Sequence, residues 1–227
     1  MAEPQETPPT AEVAPTVTRV LIVDDHEVLA SSLALVIDAE PDLVCVGLAG
    51  SLEQARARIP ATTPDVILLD HRLPDGDGAD AIGELLALRP SAQVVMLTAS
   101  AADHVLVKAL ESGASGFVSK TRSLAELTAA VRAAASGEAV ISPELLARLL
   151  PRLQRHGRPR ANDLTERERE VLGLLSRGLS NAAIATELTL SVHTVRNHIA
   201  NLSSKLGAHS KLEALSIAVR DGLLPGV

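Results

Sequence analysis

The front of the chain alternates short apolar runs with amphipathic stretches. From Arg19 onward, five runs of Val, Ile and Leu are separated by polar residues; they read RVLIVDD, LVCVGLAG, DVILLDHRLP, QVVMLTAS and GFVSK. Continuous apolar runs of this length are typical of strands buried on both faces of a sheet. The stretches between them carry apolar residues at helical spacing, as at Leu29, Leu33 and Ile37. This alternation predicts an α/β fold with a doubly wound, five-stranded parallel sheet of the flavodoxin-like order 2-1-3-4-5.

Capping signals predict where several helices begin and end. Ser123 and Glu126 form the pattern of a capping box, and Gly137 ends the same helix. Further on, Thr165 and Glu168 repeat the box, and three more amphipathic segments follow. The back of the chain is therefore predicted to be a small all-α unit of four helices. Their sequences are LTEREREVLGLLSRG, SNAAIATEL, SVHTVRNHIANLSSKLG and SKLEALSIAVRDG.

These patterns divide the chain into four parts. Residues 1–17 are rich in Pro, Glu and Thr without any period, which predicts a disordered tail. The α/β domain spans residues 18–137. Residues 138–161 form a linker: one helix, PELLARLLPRLQ, is followed by the polar run RHGRPRAND, which continues to residue 163. The helical domain spans residues 162–227.

Charge is distributed unevenly over the two domains. The net charge is −7, but residues 1–156 hold 12 Lys and Arg against 21 Asp and Glu, whereas residues 157–227 hold 9 against 7. An acidic front and a mildly basic back suit a cation-binding module joined to a nucleic-acid-binding module. With a single Phe and no Trp or Tyr, the chain has little aromatic surface for stacking on bases or sugars.

Cysteine usage and hydropathy favour a cytoplasmic protein. The single cysteine, Cys45, cannot form an internal disulfide and lies in an apolar run, where a buried strand residue is expected. No apolar stretch reaches the roughly 18 residues that a membrane span needs, and no signal peptide is evident. The sequence thus predicts a chain without membrane insertion.

Three carboxylates lie at strand ends. Asp24 and Asp25 follow the first strand, and Asp70 follows the third. Because the carboxyl ends of parallel strands share one crevice, these side chains are expected to converge. Like charges at short range disfavour joint ionisation, and a hard divalent cation relieves the repulsion. The sequence therefore predicts a Mg²⁺ site.

Two further polar residues end neighbouring strands. Thr98 ends the fourth strand and Lys120 the fifth. A cation, a hydroxyl and a metal ion around one carboxylate make a site for an anion attached to that carboxylate, which indicates an aspartyl phosphate. Singly, each residue has a structural explanation as a cap, a turn residue or a solvated charge. Their joint placement at the correct strand ends favours the functional interpretation.

Residues 19–136 resemble a response-regulator receiver domain, with the DD pair, an Asp before a Pro-containing loop, the Thr and the Lys all matched. The resemblance implies that Asp70 takes a phosphoryl group from a sensor histidine kinase. It also implies that Asp25 and the backbone carbonyl of Arg72 bind Mg²⁺ together with Asp70, that Asp24 assists through water, and that Lys120 pairs with the phosphoryl oxygens.

The same resemblance implies a switch. The Thr98 hydroxyl would move toward the new phosphate, and Phe117, three residues before the lysine, would turn inward behind it. Ordinary core packing is the alternative explanation for Phe117. One departure is His71, which follows the acceptor where an apolar residue is common.

Enzymatic folds fit less well. A nicotinamide-binding domain needs a glycine-rich turn after the first strand, but this chain has VDDHEV there. A haloacid-dehalogenase-like phosphatase would need a second Asp two residues after the nucleophile, where Arg72 stands. We therefore expect a stoichiometric phosphoacceptor and not an enzyme.

The third helix of the back domain has two different faces. Val195, Ile199, Leu202 and Leu206 form one apolar stripe. The opposite face suits a DNA major groove, and the short turn TLS before the helix suits a helix-turn-helix. A solvated face on a small bundle is the alternative. We call this polar side the reading face; it comprises His193, Arg196, Asn197, Ala200, Ser203 and Ser204.

Residues 163–224 resemble the LuxR-type DNA-binding domain through LTERERE, GLSN, IA, TVRNH and KLG. The resemblance implies that Arg196 and Asn197 contact bases of double-stranded DNA. It places four residues near the phosphate backbone and three on a dimer surface, for which core packing is the alternative. The four are Asn181, Thr194, His198 and Lys205, and the three are Leu212, Leu215 and Val219.

Two departures make the predicted DNA surface less basic than in relatives. Ala183 replaces a frequent Lys, and Ala200 stands where some relatives have a base-reading Lys. Because phosphate neutralisation supplies much of the binding energy, a single half-site should be bound weakly, and a homodimer on DNA would offset this.

The two halves together predict a response regulator of the NarL/FixJ type in which phosphorylation controls dimerisation and DNA binding, with RNA polymerase as a further candidate partner. A phosphate-independent interaction module of the same fold and an aspartate-nucleophile phosphatase are the open alternatives.

Overall fold

A computed structural model describes residues 17–98, 102–153 and 164–224 of the chain. Apart from Val17, the predicted disordered tail lies outside these residues, as do residues 154–161 of the predicted linker. Within the described ranges, no helix is both long enough and apolar enough to cross a membrane.

Five parallel strands form the central sheet of the front domain. The observed order, β2-β1-β3-β6-β7, confirms the doubly wound order predicted from the alternating pattern. An antiparallel pair of two-residue strands, β4 and β5, interrupts the loop after the third sheet strand and was not predicted. The strands are β1 (Thr18–Val23), β2 (Leu43–Ala49), β3 (Val66–Asp70), β4 (Arg72–Leu73), β5 (Gly76–Asp77), β6 (Gln93–Thr98) and β7 (Gly116–Ser119).

Helices cover both faces of the sheet. The central strands β1 and β3 have no exposed apolar side chain, because successive residues point alternately into two apolar layers. Burial on both faces explains why these strands read as continuous apolar runs. The helices of this domain are α1 (Glu27–Asp38), α2 (Leu52–Thr62), α3 (Gly78–Leu88), α4 (Asp103–Glu111) and α5 (Leu124–Ala135).

The predicted capping boxes are both present. Ser123 accepts the backbone N–H of Glu126, and the Glu126 carboxylate accepts the N–H of Ser123 in return. Thr165 and Glu168 do the same at the start of the helical domain. Gly137 has a φ of 73°, in the left-handed region that favours glycine, just beyond the end of α5.

The chain after α5 stays attached to the sheet before it enters the linker helix. The Phe117 N–H donates to the Val140 carbonyl at 2.7 Å, and the Val140 N–H donates to the Ser115 carbonyl at 3.0 Å. This bridge places Val140 beside β7. The linker helix, α6 (Pro143–Leu153), follows it.

Four described helices make the back domain, as the capping signals predicted. The last of them, α10, packs against α7 and α9 of its own domain and also against α4 and α6. The two domains are therefore in direct contact in this structure. The four helices are α7 (Glu166–Ser176), α8 (Asn181–Glu187), α9 (Val192–Leu206) and α10 (Lys211–Arg220).

Candidate functional site

The sheet brings the predicted carboxylates together. β1 and β3 are neighbours with Val23 opposite Leu69, so Asp24 and Asp70, the next residues along each strand, lie side by side. Both are buried, at 2% and 5% exposure, whereas Asp25 is exposed. Two carboxylates held this close out of water need a cation between them or beside them.

Lys120 supplies such a cation. Its Nζ lies 2.7 Å from Asp24 Oδ2 and 2.8 Å from Asp70 Oδ2, so one ammonium bridges both buried carboxylates. Burial lowers the pKa of Lys120, but the hydrogen bonds and charges of the two aspartates outweigh that effect and hold the pKa above its ordinary value. Lys120 is therefore a fixed positive charge beside Asp70.

The same cluster can hold a metal ion. One ligand atom from each of Asp24, Asp25, His26 and Asp70 lies within 4.8 Å of all the others, and within the described ranges these four residues form the one such group. Three carboxylates match the oxygen ligands that Mg²⁺ prefers. The residues present thus fit the predicted ion.

His26 was missed by the sequence reasoning. Its Nδ1 lies 2.9 Å from Asp25 Oδ1 and 3.2 Å from Asp24 Oδ1, and its backbone N–H donates to Asp24 at 2.9 Å. The signal available in the sequence was spacing. Asp24 and His26 are two residues apart, and an aspartate side chain often accepts the N–H of the second residue after it in a turn.

Thr98 and Phe117 lie on adjacent strands next to this cluster. Thr98 pairs with Ser119 across β6 and β7, and its carbonyl accepts the N–H of Lys120 at 2.9 Å. The Thr98 hydroxyl oxygen is buried and has no hydrogen-bond partner among the described residues. Phe117 is buried in the apolar core opposite Met96. A buried hydroxyl without a partner is costly unless a ligand supplies one.

The residues that follow Asp70 lead into the antiparallel β4–β5 pair. Arg72 lies in β4 opposite Asp77 of β5, and this strand pairing fixes the backbone conformation just beyond Asp70. His71 Nδ1 lies 3.7 Å from Asp77 Oδ2 and is buried. The polar residue at position 71 thus has a charged neighbour in place of the apolar contacts that are common there.

The helix-turn-helix of the back domain is built as predicted. Ser191 caps α9 by accepting the N–H of Thr194, and Val195, Ile199 and Leu202 are buried beneath the helix. Arg196 and Asn197 project on its exposed side. The apolar stripe therefore faces the small core and the opposite side carries the polar groups.

The other predicted DNA residues lie in different surroundings. Thr194 shares a 2.8 Å hydrogen bond with Ser191, and His198 is half-buried on α9. Lys205 Nζ lies 2.7 Å from the buried Glu168 carboxylate. Asn181 is only 1% exposed. The structure thus leaves Arg196 and Asn197 accessible but encloses Asn181 between the domains.

Part of the reading face turns toward the front domain. Arg196, Ala200 and Ser203 line a space that Gln93 of β6 and the end of α5 also border. The predicted dimer residues on α10 are buried in the apolar core of the chain, and α10 packs against α4 and α6, so pairing of two copies through them requires α10 to move. Their dimer role stays a prediction. They are Leu212, Leu215 and Val219.

Family models match both halves of the chain. Residues 20–132 match the model described as the response regulator receiver domain. Residues 162–218 match the model described as bacterial regulatory proteins of the luxR family. The order of the two matches is that of the two domains in the structure.

Characterised relatives are similar over nearly their whole length. The DNA-binding transcriptional activator DevR/DosR of Mycobacterium tuberculosis is 39% identical over 204 residues, which cover 88% of this chain and 93% of the relative. The response regulator protein VraR of Staphylococcus epidermidis is 34% identical over 206 residues, covering 91% and 98%. A solved LuxR-family two-component response regulator from an Aurantimonas species is 28% identical with a TM-score of 0.55, covering 60% of this chain and 98% of that one.

Proposed function

Because the chain belongs to the two-component response regulators that join a receiver domain to a LuxR-type DNA-binding domain and act as transcription factors, we propose that Asp70 accepts a phosphoryl group from a sensor histidine kinase. The observation that carries the proposal is the arrangement around Asp70. One of its oxygens contacts the Lys120 ammonium, and the carboxylates of Asp24 and Asp25 lie within metal-binding distance of it. The neighbouring strand ends at Thr98, whose buried hydroxyl has no hydrogen-bond partner within the described ranges.

The chemistry needs only a carboxylate nucleophile and charge compensation. An oxygen of Asp70 attacks the phosphorus of the phosphohistidine, the P–N bond breaks, and the histidine nitrogen keeps the electron pair and is protonated. Lys120 is positioned to balance the negative charge that Asp70 gains. The Thr98 hydroxyl then has an acceptor for its hydrogen bond, and Phe117 can take the space behind it.

Mg²⁺ is the ion that suits this pocket. We propose that Asp25, Asp70 and the backbone carbonyl of Arg72 hold it, with Asp24 acting through water. When bound, the ion supplies charge neutralisation at the phosphoryl oxygens. Asp24 and Lys120 remain as the protein's own pair beside it.

Phosphorylation of this kind is stoichiometric, so we propose that the chain is not an enzyme. A phosphatase of the haloacid-dehalogenase type would need a carboxylate two residues after the nucleophile, and Arg72 stands there. A phosphate-independent interaction module would have no use for the buried Asp24, Asp70 and Lys120 cluster, which is costly to maintain.

For the back domain we propose sequence-specific binding to double-stranded DNA. Arg196 and Asn197 are exposed on α9, as base contacts must be. The phosphate backbone would be contacted by Asn181, Thr194, His198 and Lys205. A homodimer formed through Leu212, Leu215 and Val219 would bind two half-sites. We propose RNA polymerase as a further partner, since the chain acts as a transcription factor. We also propose that the chain is cytoplasmic, because bacterial DNA lies in the cytoplasm.

The test is labelling of the full chain with a small acyl phosphate donor in the presence of Mg²⁺. Asp70→Asn should abolish the hydroxylamine-labile label, because an amide cannot form the acyl phosphate. Asp65→Asn, at the opposite end of β3, is the matched control and should label like the wild type. Undiminished labelling of Asp70→Asn would refute the assignment.

A further inference from the structure

Two side chains of the reading face contact each other. His193 and Asn197 lie four residues apart on α9, so they project from the same side of the helix. His193 Nε2 lies 3.3 Å from Asn197 Nδ2, and both residues are exposed. Among the described residues, this is the one hydrogen bond that either side chain makes. The Asn197 amide is therefore held by a neighbour on its own helix.

The contact determines which way the amide faces. A side-chain amide has an acceptor oxygen at one end and a donor with two hydrogens at the other, and in water it samples both orientations. With Nδ2 toward the imidazole, His193 Nε2 accepts one of the two hydrogens, which requires the neutral tautomer that carries its proton on Nδ1. The second Nδ2 hydrogen and Oδ1 of Asn197 are then left for a ligand.

One donor beside one acceptor matches adenine in the major groove. Adenine presents N7 as an acceptor and its N6 amino group as a donor, and a bidentate asparagine bonds to both. Every amide group then has a partner, because one Nδ2 hydrogen goes to His193, the other goes to N7, and Oδ1 accepts from N6. Guanine presents two acceptors, N7 and O6, so the amide in this orientation can satisfy only one of them.

We propose that His193 is a positioning residue for DNA recognition: by accepting from Asn197 Nδ2, it orients the amide to select adenine over guanine. This inference rests on the proposed DNA-binding function and adds the base that Asn197 reads. His193 acts through Asn197 and need not touch a base itself. Ordering the amide before DNA arrives also removes part of the entropy cost of binding.

The experiment uses the full chain with Mg²⁺, an acyl phosphate donor and a duplex selected with the phosphorylated wild type. Each A·T pair is replaced in turn by G·C, and an equilibrium titration measures the loss of affinity at each position. Asn197→Ala identifies the pair that Asn197 reads, because discrimination disappears there. His193→Ala should lower discrimination at that same pair by about threefold to tenfold, the size expected when one side chain is no longer ordered. Discrimination at the other pairs should stay unchanged.

Further variants separate orientation of the amide from other effects. Alanine favours a helix more than histidine does, so α9 should stay folded in His193→Ala. His193→Gln keeps an acceptor within reach of Asn197 and should restore most of the discrimination, since Gln and Asn pair at this spacing. Adding His193→Ala to Asn197→Ala should cause no additional loss. His104→Ala, at an exposed histidine of α4, is the matched control and should behave like the wild type.

Three results would overturn the proposal. One is unchanged discrimination in His193→Ala, and another is an additive loss in the double variant. The third is an equal loss of affinity for all duplexes, which would mean that His193 contacts the phosphate backbone. If Arg196→Ala weakens binding but Asn197→Ala keeps the preference at every pair, DNA binding stands and the role of His193 fails. If neither variant changes binding to any duplex, the proposed base contacts of α9 fail, and the role of His193 fails with them.

Discussion

At the scale of single residues, Lys120 is the cation that bridges two buried carboxylates in the receiver pocket. It neutralises Asp24 and Asp70 at distances below 3 Å, in a place where little water reaches. A metal ion bound at the same carboxylates would share this task. Lys120 and Mg²⁺ are therefore expected to compensate in part for one another.

This compensation gives a stability prediction. Lys120→Met leaves two buried carboxylates without a cation and should cost about 3 kcal/mol in metal-free buffer. Mg²⁺ should then raise the thermal midpoint of the variant more than it raises that of the wild type. Calorimetry with and without millimolar Mg²⁺ measures both midpoints. If Mg²⁺ raised the midpoint equally in the variant and the wild type, Lys120 and the ion would not share the task of neutralising these carboxylates.

Glu168 gives a pH prediction in the helical domain. Burial raises the pKa of this carboxyl, but the hydrogen bonds from Lys205 and Thr165 outweigh it and hold the pKa below 4.5, its ordinary value. A carboxyl with a lowered folded-state pKa stabilises the fold above its ordinary pKa, and this contribution is lost as the pH falls through the lowered value.

Glu168→Gln should therefore be less stable than the wild type at pH 7 by roughly 2 kcal/mol. This is the size expected for weakening both the charged hydrogen bond to Lys205 and the helix cap with Thr165. The difference should shrink as the pH falls below 4.5. Thermal unfolding of both proteins across this range is the measurement. A constant difference would show that the charge of Glu168 plays no part.

At the scale of elements, the recognition helix α9 carries the specificity proposed for the chain. Arg196→Ala should weaken binding to a duplex selected with the phosphorylated wild type by about tenfold or more, since a base contact contributes roughly 1–3 kcal/mol. Arg177→Ala, an exposed arginine just beyond α7, loses the same charge and should have a much smaller effect. An equilibrium titration measures both affinities. If both variants lost the same affinity, the effect would come from net charge and not from a base contact by Arg196.

Helix ends and sheet strands could be predicted because their signals are local. The two capping boxes, at Ser123 and Thr165, need only residues three apart, and a strand buried on both faces needs only an apolar run. The β4–β5 pair could not be predicted, because two-residue strands have no period to detect.

The candidate site was predictable for a topological reason. Once the strand order is known, the ends of neighbouring strands must meet, and this brings Asp24, Asp70 and Lys120 together. The partners of Lys211 were not predictable in this way. Its Nζ lies 3.1 Å from Glu138 Oε2, at the start of the linker, and no pattern along the chain encodes how separately folded units dock.

At the scale of the whole molecule, α10 links the two domains. Ser210 caps this helix by accepting the N–H of Glu213, and its hydroxyl donates to the Ala114 carbonyl of the receiver domain at 2.9 Å. One side chain thus stabilises a helix and a domain contact. Docking of α10 on α4 and α6 also covers the residues proposed for dimerisation.

Comparison of two caps separates these roles. Ser210→Ala and Ser191→Ala each remove a serine cap, but only the former also removes a bond between domains. Ser210→Ala should lower the stability of the full chain by about 1 kcal/mol more than Ser191→Ala. Matching thermal midpoints would indicate that the contact between the domains contributes nothing through Ser210.

The central claim is that a phosphoryl group on Asp70 controls DNA binding, and duplex affinity with and without an acyl phosphate donor tests it most directly. We predict that the donor tightens binding by the wild type and leaves binding by Asp70→Asn unchanged. An equal gain in both proteins, or no gain in the wild type, would contradict the account.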